Sequence, residues 1–162
     1  MEKITSLAKK LQSKAAEHEH LHHLTLQQGE MFGWDHTACA ITYNPREPQA
    51  SAYLLHEFGH ALLGHASYSY DIDLLKMERA AWDEALGLAD EYDVAIDEVL
   101  IEDTLDTYRD WLHARSVCPA CTATGVQTAL SSYACIACGA NWRVNDARQC
   151  ALRRYPTKKR PV

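Results

Sequence analysis

The chain has 162 residues, 47% of them hydrophobic and 23% charged. That length and balance suit one globular core, or a compact domain of about 115 residues followed by a small module, and exclude an intrinsically disordered chain. The net charge of −6 conceals an asymmetry: Asp71 to Asp110 carries fourteen acids against three bases, whereas Arg143 to Val162 carries seven bases against one acid.

No apolar run approaches the roughly 18–20 residues that would span a bilayer. Met1-Glu2-Lys3-Ile4 leads into a polar amphipathic stretch rather than an apolar signal core. A cytoplasmic protein without membrane contact is therefore expected. In that compartment six cysteines do not form a disulfide framework, and paired CxxC motifs favour metal.

In chain order, Ile4, Leu7, Leu11 and Ala15 recur at helical spacing and predict a helix over residues 1–27, broken by Gly29 and Gly33. Within it, Glu17-His18-Glu19-His20-Leu21-His22-His23 reads as a polar helix end, although His18 and His22 share a face that could bind a metal. His36–Tyr43 alternates loosely before the Asn44-Pro45 turn signal and predicts a short strand. As an edge strand it could pair with an extended peptide.

Ser51 is the expected cap of a helix running through Leu63, with Gly64 as its stop. A second helix is expected from Asp71 to about Tyr92, burying Ile72, Leu75, Ala81, Trp82, Ala85 and Leu88. A third, capped by Asp97, runs to about Arg115 and buries Leu100, Ile101, Leu105, Tyr108 and Leu112. The acidic block reads as the solvated face of these helices. Near Ser116 helical periodicity gives way to cysteine spacing. The expected organisation is a domain over 1–115, a small module over 116–142 and a basic tail over 143–162. That tail could contact nucleic acid or an acidic partner, or fold back on the acidic helices.

Chemistry concentrates in two places. His56-Glu57-Phe58-Gly59-His60 sits in an apolar helical run, and a spacing of four puts His56 and His60 on one face, where they could grip one ion. Two histidines and a glutamate on a buried helix are costly without a metal or other partners. Glu57, beside the first histidine, is placed to take a proton from an attacking water and hand it to a leaving amine. A catalytic zinc usually takes a third protein ligand. Glu78, with seventeen residues between it and His60, has the spacing of a helix packing back beside the first and is favoured. Asp83, Glu84 and, if the chain unwinds at Gly64, His65 remain open alternatives. Tyr68, Tyr70, His36 and His113 are all candidates to stabilise an oxyanion.

The second place is Cys118-Pro119-Ala120-Cys121 and Cys135-Ile136-Ala137-Cys138, separated by thirteen residues. Four thiolates in two such knuckles make a tetrahedral structural zinc site with no open position. So small a module needs its metal to fold, with Tyr133 and Trp142 covering its core. Cys39 and Cys150 are left as free thiols. Two Zn²⁺ ions per chain are thus expected, one catalytic and one structural.

The runs Ile41-Thr42-Tyr43-Asn44-Pro45, Leu54 to His65 and Glu78-Arg79-Ala80-Ala81-Trp82 resemble the ImmA/IrrE-type metallopeptidases, which are gluzincins. The resemblance covers roughly residues 36–92. It implies a minimal α+β zincin fold, mostly helical with a small sheet, with zinc on His56, His60 and a glutamate of the following helix, and with Glu57 as general base. Some members of that family cleave repressor-like DNA-binding proteins, which implies a protein substrate that is itself a regulator. Ala80-Ala81-Trp82 departs from the glutamate–alanine–asparagine pattern common there. The chain is also similar to SprT-like proteases, which join an HExxH domain to a zinc ribbon but use a downstream third histidine. Beyond His65 only His113 is available here. A rival reading is a zincin-fold module without turnover that binds a protein or nucleic-acid partner through the ribbon and tail.

Overall fold

The computed structural model describes residues 2–157 of the chain. The fold is mixed α+β and mostly helical, with two small sheets. Helix α1 (Glu2–Ala15) is followed by strands β1 (Thr25–Gln28), β2 (Gly33–Asp35) and β3 (Ala40–Tyr43), then by helices α2 (Ala50–Leu62), α3 (Asp71–Ala89) and α4 (Glu98–Ser116), and last by strands β4 (Val126–Ala129), β5 (Ser132–Ala134), β6 (Asn141–Val144) and β7 (Arg154–Thr157). The chain forms two compact units: residues up to Ser67 with Lys76–Ile101, and Tyr68–Leu75 with the chain from Glu102 onwards. Among the described residues no helix is long and apolar enough to cross a membrane.

In the first unit, α1 buries Ile4, Leu7, Leu11 and Ala15, the stripe expected from its spacing. The helix stops at Ala15 rather than at residue 27. The N–H groups of Glu17 and His18 turn back onto the carbonyls of Lys14 and Ala15, and a 3₁₀ turn spans Glu19–Leu21. Thr25–Gln28 then becomes β1 because it finds a partner: it runs parallel to β3, with Thr25 opposite Ala40 and Gln28 opposite Tyr43. A strand made by a distant partner leaves little trace in so polar a tetrapeptide.

The first sheet has the order β1-β3-β2, with β2 antiparallel to β3. The segment expected as one strand from His36 to Tyr43 is therefore corrected in two ways. Only Ala40–Tyr43 is extended, and it is the central strand, not an open edge. Asp35 explains the shortening: its Oδ1 accepts from the N–H groups of Thr37 and Ala38 and folds residues 36–39 into the connection between β2 and β3. The edges of this sheet are β1 and β2.

Helix α2 begins after Gln49, two residues before the expected Ser51 cap, and ends where Gly64 adopts φ +64°. Its apolar residues Leu54, Leu55, Phe58 and Ala61 are fully buried. The buried stripe of α3 is Asp71, Leu74, Glu78, Ala81, Trp82, Ala85, Leu88 and Ala89; of the residues expected inside, Ile72 is exposed and Leu75 half-buried. The shift arises because the stripe includes the polar residues Asp71 and Glu78, which an apolar periodicity skips. Asp97 Oδ1 accepts the Val99 N–H at the start of α4, as its capping position predicts.

In the second unit, β4-β5-β6-β7 form an antiparallel sheet. Tyr133 and Trp142 stack across β5 and β6, with ring centroids 5.5 Å apart. The Trp142 indole N–H donates to the Arg115 carbonyl at 3.1 Å. Of the basic segment 143–162, Arg154–Thr157 is the fourth strand of the sheet, and Arg148 lies over the Tyr108 ring of α4; residues 158–162 fall outside the described part. Asp71, expected among solvated acids, is instead buried. Its carboxylate takes two bonds from the Arg115 guanidinium, at 2.6 and 3.2 Å, and others from Gln127 and Tyr133. A buried pair so fully hydrogen-bonded costs about 3–5 kcal/mol to break from one side.

Candidate metal centres

Two groups of potential metal ligands come together among the described residues: His56, His60 and Glu78, and Cys118, Cys121, Cys135 and Cys138. Each could coordinate a Zn²⁺ ion.

The first group is built by two helices. One helical turn of α2 brings the rings of His56 and His60 edge to face, with centroids 4.6 Å and Nε2 atoms 3.1 Å apart. Helix α3 brings Glu78 Oε2 to 3.1 Å from His56 Nε2 and 3.5 Å from His60 Nε2. A tetrahedral zinc with bonds of 2.0–2.1 Å separates its ligand atoms by about 3.4 Å, so the donor set matches the ion in size and chemistry. All three residues are buried, which would be costly for an unpaired polar trio. Burial pushes the His56 pKa down, the neutral form a ligand needs. Burial alone would raise Glu78, but hydrogen bonds from His56 and His60 overrule it and hold the carboxyl well below the usual range.

The close approach depends on Gly59. A methyl group there would lie 2.5 Å from the Ala81 carbonyl oxygen of α3. Only glycine lets the two backbones meet, one turn from Glu78. Trp82, fully buried, lays its ring against His56 at 4.3 Å and 28°.

The alternatives to Glu78 lie elsewhere. Asp83 is exposed and paired with Arg79 at 3.2 Å, and Glu84 is outside the group. His65 does reach the site, but from behind: its Nδ1 is 2.8 Å from Nδ1 of His60, the nitrogen turned away from the other donors. Such a contact fixes the ring and tautomer of a ligating histidine. The His65 carbonyl is in turn held by the Trp34 indole N–H at 2.7 Å. Trp34, with His36 and Ser67, also lines a cavity of about 570 Å³. Glu57 is half-buried on α2 between the two histidines in sequence. His36 is exposed at the cavity, while Tyr68, Tyr70 and His113 belong to the second unit. His18 and His22 flank the 3₁₀ turn rather than sharing a helix face, and neither joins a donor group. Gly59, Trp34 and Trp82 were not singled out for the site from the sequence. A glycine inside an otherwise apolar helix is the one signal that pointed to a close contact.

The second group is made by two matching knuckles. Cys118 N–H donates to Ala123 O and Cys135 N–H to Ala140 O, each at 2.8 Å. The carbonyls of Cys118 and Cys135 each accept the N–H four residues on, from Thr122 and Gly139, at 2.9 Å. Sulfur separations of 3.7 Å (Cys118–Cys138) and 3.6 Å (Cys121–Cys135) are far beyond a disulfide. They match the about 3.8 Å between sulfurs of a tetrahedral zinc with 2.3 Å bonds. The electrostatics agree. The Ala123 N–H lowers Cys121, but the sulfurs of Cys138 and Cys135 push it up to about 12, while N–H donors from Cys138 and Ala137 pull Cys135 to about 7. Four crowded sulfurs ionise together only around a cation. Cys39 and Cys150 stay free of the cluster.

No family model, no curated protein and no solved structure matches the chain.

Proposed function

We propose that the chain is a zinc-dependent peptidase that hydrolyses peptide bonds of a protein substrate. In this reading His56, His60 and Glu78 hold a catalytic zinc, and Cys118, Cys121, Cys135 and Cys138 hold a structural one. The observation that carries it is the convergence of two imidazoles and a buried carboxylate at 3.1–3.5 Å on the helix that also bears Glu57.

Bound zinc supplies Lewis acidity, which makes a water nucleophilic at neutral pH and polarises the scissile carbonyl. The rest is asked of the side chains. Glu57, adjoining His56 and partly open to solvent, accepts the proton of the attacking water and returns it to the leaving amine. Trp82 keeps the His56 ring in one plane, and His65 fixes the tautomer of His60 by accepting from its Nδ1–H. Three protein donors leave a fourth position for water and substrate, whereas four thiolates leave none. The functional division is then a zincin-like domain over 1–115 and a zinc ribbon from 116 on, whose sheet takes β7 from the basic segment 143–162. The resemblance to ImmA/IrrE-type gluzincins adds a cytoplasmic regulator, itself DNA-binding, as the substrate class.

Metal analysis of the pure protein should give two zinc ions per chain, and a random-sequence peptide library should be cleaved in its presence. Glu57→Gln should lose cleavage and keep both ions. The reading fails if only the cysteine-bound ion is found under zinc excess, or if Glu57→Gln cleaves like the parent.

A further inference from the structure

The two histidines of the first donor group are supported unequally. Their Nε2 atoms are the ones that face Glu78 and each other, so a neutral ring that ligates through Nε2 carries its proton on Nδ1. For His60 that N–H has an acceptor, Nδ1 of His65 at 2.8 Å. For His56 it has none: Nδ1 is buried and meets no hydrogen-bonding group among the described residues. A second unpaired donor lies beside it. The indole Nε1 of Trp82 is likewise buried without a protein partner, and its ring is stacked on His56 at 4.3 Å and 28°. His56 is 4% exposed and Trp82 0%, so bulk water does not stand in for the missing acceptors. Unpaired N–H groups on two stacked rings of one core need a cause. Packing gives it. Gly59 lets the Ala81 backbone come against α2, and the next residue, Trp82, meets the His56 ring. The α3 side chain that lies against this ligand thus brings aromatic surface and a donor, but no acceptor.

We propose that Trp82 makes the histidine group an exchangeable zinc site, whose occupancy, and with it the activity, follows the supply of free zinc. An imidazole whose N–H is hydrogen-bonded is a stronger base at its other nitrogen and a better-oriented ligand, and such partners are worth about 10- to 100-fold in metal affinity. His60 has that support and His56 does not. The His56 ring is oriented by stacking alone, which fixes its plane without raising its basicity. The cysteine group is the contrast within the same chain: its thiolates are themselves hydrogen-bonded by backbone, as where the Ala120 N–H donates to Cys118 Sγ at 3.4 Å. Scarce zinc therefore empties the histidine group and switches the site off, while the cysteine-bound ion keeps its module folded.

This regulation rests on the histidine group holding zinc. Cleavage enters none of its tests, so a peptidase reading refuted through Glu57→Gln leaves them standing. Competition of the full chain against a chromophoric chelator, with the cysteine ion in place, reads the affinity of the histidine group. Trp82→Phe keeps an aromatic surface without an acceptor and should bind zinc as tightly as the parent. Trp82→Asn and Trp82→Gln offer an amide oxygen from the same position at two reaches, and the better of them should bind about tenfold more tightly than Trp82→Phe. Circular dichroism and the retained cysteine ion report that the variants fold. Folded amide variants that bind no more tightly than Trp82→Phe overturn the proposal. Because a polar side chain at a buried position can unfold the chain, the parent is read as well. Nitrogen-edited proton NMR of the zinc-loaded parent should show a far-downfield imidazole N–H from His60, which moves upfield in His65→Ala, and a His56 N–H outside that region. A His56 proton as far downfield as that of His60 would reveal an acceptor, a bound water included, and overturn the proposal. So would a histidine group that stays filled after a chelator has stripped the cysteine group.

Discussion

Gly59→Ala separates two physical expectations of opposite sign. Helix propensity alone predicts stabilisation by about 1 kcal/mol, since alanine restricts the unfolded chain and glycine does not. The packing predicts the reverse. The new methyl group would stand 2.5 Å from the Ala81 carbonyl oxygen, roughly 1 Å inside ordinary contact. That atom is backbone, so relief requires α2 and α3 to part rather than a side chain to rotate. Overpacking of this kind costs about 1–3 kcal/mol, which leaves a net loss of roughly 0–2 kcal/mol. The larger effect falls on the metal. Glu78 lies one turn from Ala81, and its carboxylate sits 3.1 Å from His56 Nε2. Metal ligands tolerate errors of about 0.2 Å, so a parting of several tenths of an ångström should weaken zinc at this site about 10- to 100-fold, the range seen when a ligand's support is lost. Competition against a chromophoric chelator reads the affinity, and thermal melting with and without zinc reads the stability. A Gly59→Ala protein that melts higher than the parent and binds both zinc ions as tightly would refute the close approach of the two helices.

The remaining predictions concern other parts of the chain. His65→Ala should loosen zinc at the histidine site about tenfold, and His65→Asn, which keeps an acceptor near the same place, should recover part of the loss; the Co²⁺ absorption spectrum of the site reports the change in geometry. Thr122, at φ +63°, occupies the position that Gly139 fills at φ +74° in the other knuckle. Thr122→Gly should therefore stabilise the zinc-loaded module by about 1 kcal/mol, the cost of a left-handed β-branched residue, measured by urea unfolding. Acid should destabilise the zinc-free protein. Burial lowers the pKa values of His56 and His65 below 6.5, so as pH falls through 6.5 the unfolded chain takes up protons that the folded one refuses, and stability drops. Glu78, held low in the folded state, adds a further loss as pH falls below its ordinary 4.5. Urea titrations in zinc-free buffer that are flat or rising toward acid would contradict this.

How much was legible depended on whether a feature was local. The stripe of α1, the Asp97 cap and the histidine pair on α2 each follow from spacing within a few residues. So does the pairing of Cys118 with Cys121 and of Cys135 with Cys138. What escaped was made by partners distant in sequence. Thr25–Gln28 is a strand because β3 lies beside it, and the same pairing turns β3 from a possible edge into the centre of the sheet. Asp71 looks like one more acid in an acidic run until Arg115, forty-four residues on, claims its carboxylate. Trp82 reads as an ordinary apolar core residue, and only the packing of α3 on α2 lays it over His56.

The two donor groups share one requirement and meet it in opposite ways. Each gathers groups that would repel or strand one another without an ion between them, and each is held by backbone geometry more than by side-chain choice. In the cysteine group the same six-residue turn occurs twice, so four sulfurs are placed by eight backbone atoms, and the four donors complete a tetrahedral set. In the histidine group two donors share a helix, and the third arrives on a neighbour that glycine alone allows so close. A site assembled from two helices can lose its third donor through a small relative shift, whereas a site assembled from two hydrogen-bonded turns cannot do so without unfolding them. Zinc should therefore leave the histidine group first under limiting chelator, with the cysteine-bound ion following only as its sheet melts. An order of release with the cysteine ion first would mean that the knuckle hydrogen bonds do not hold the sulfurs in place.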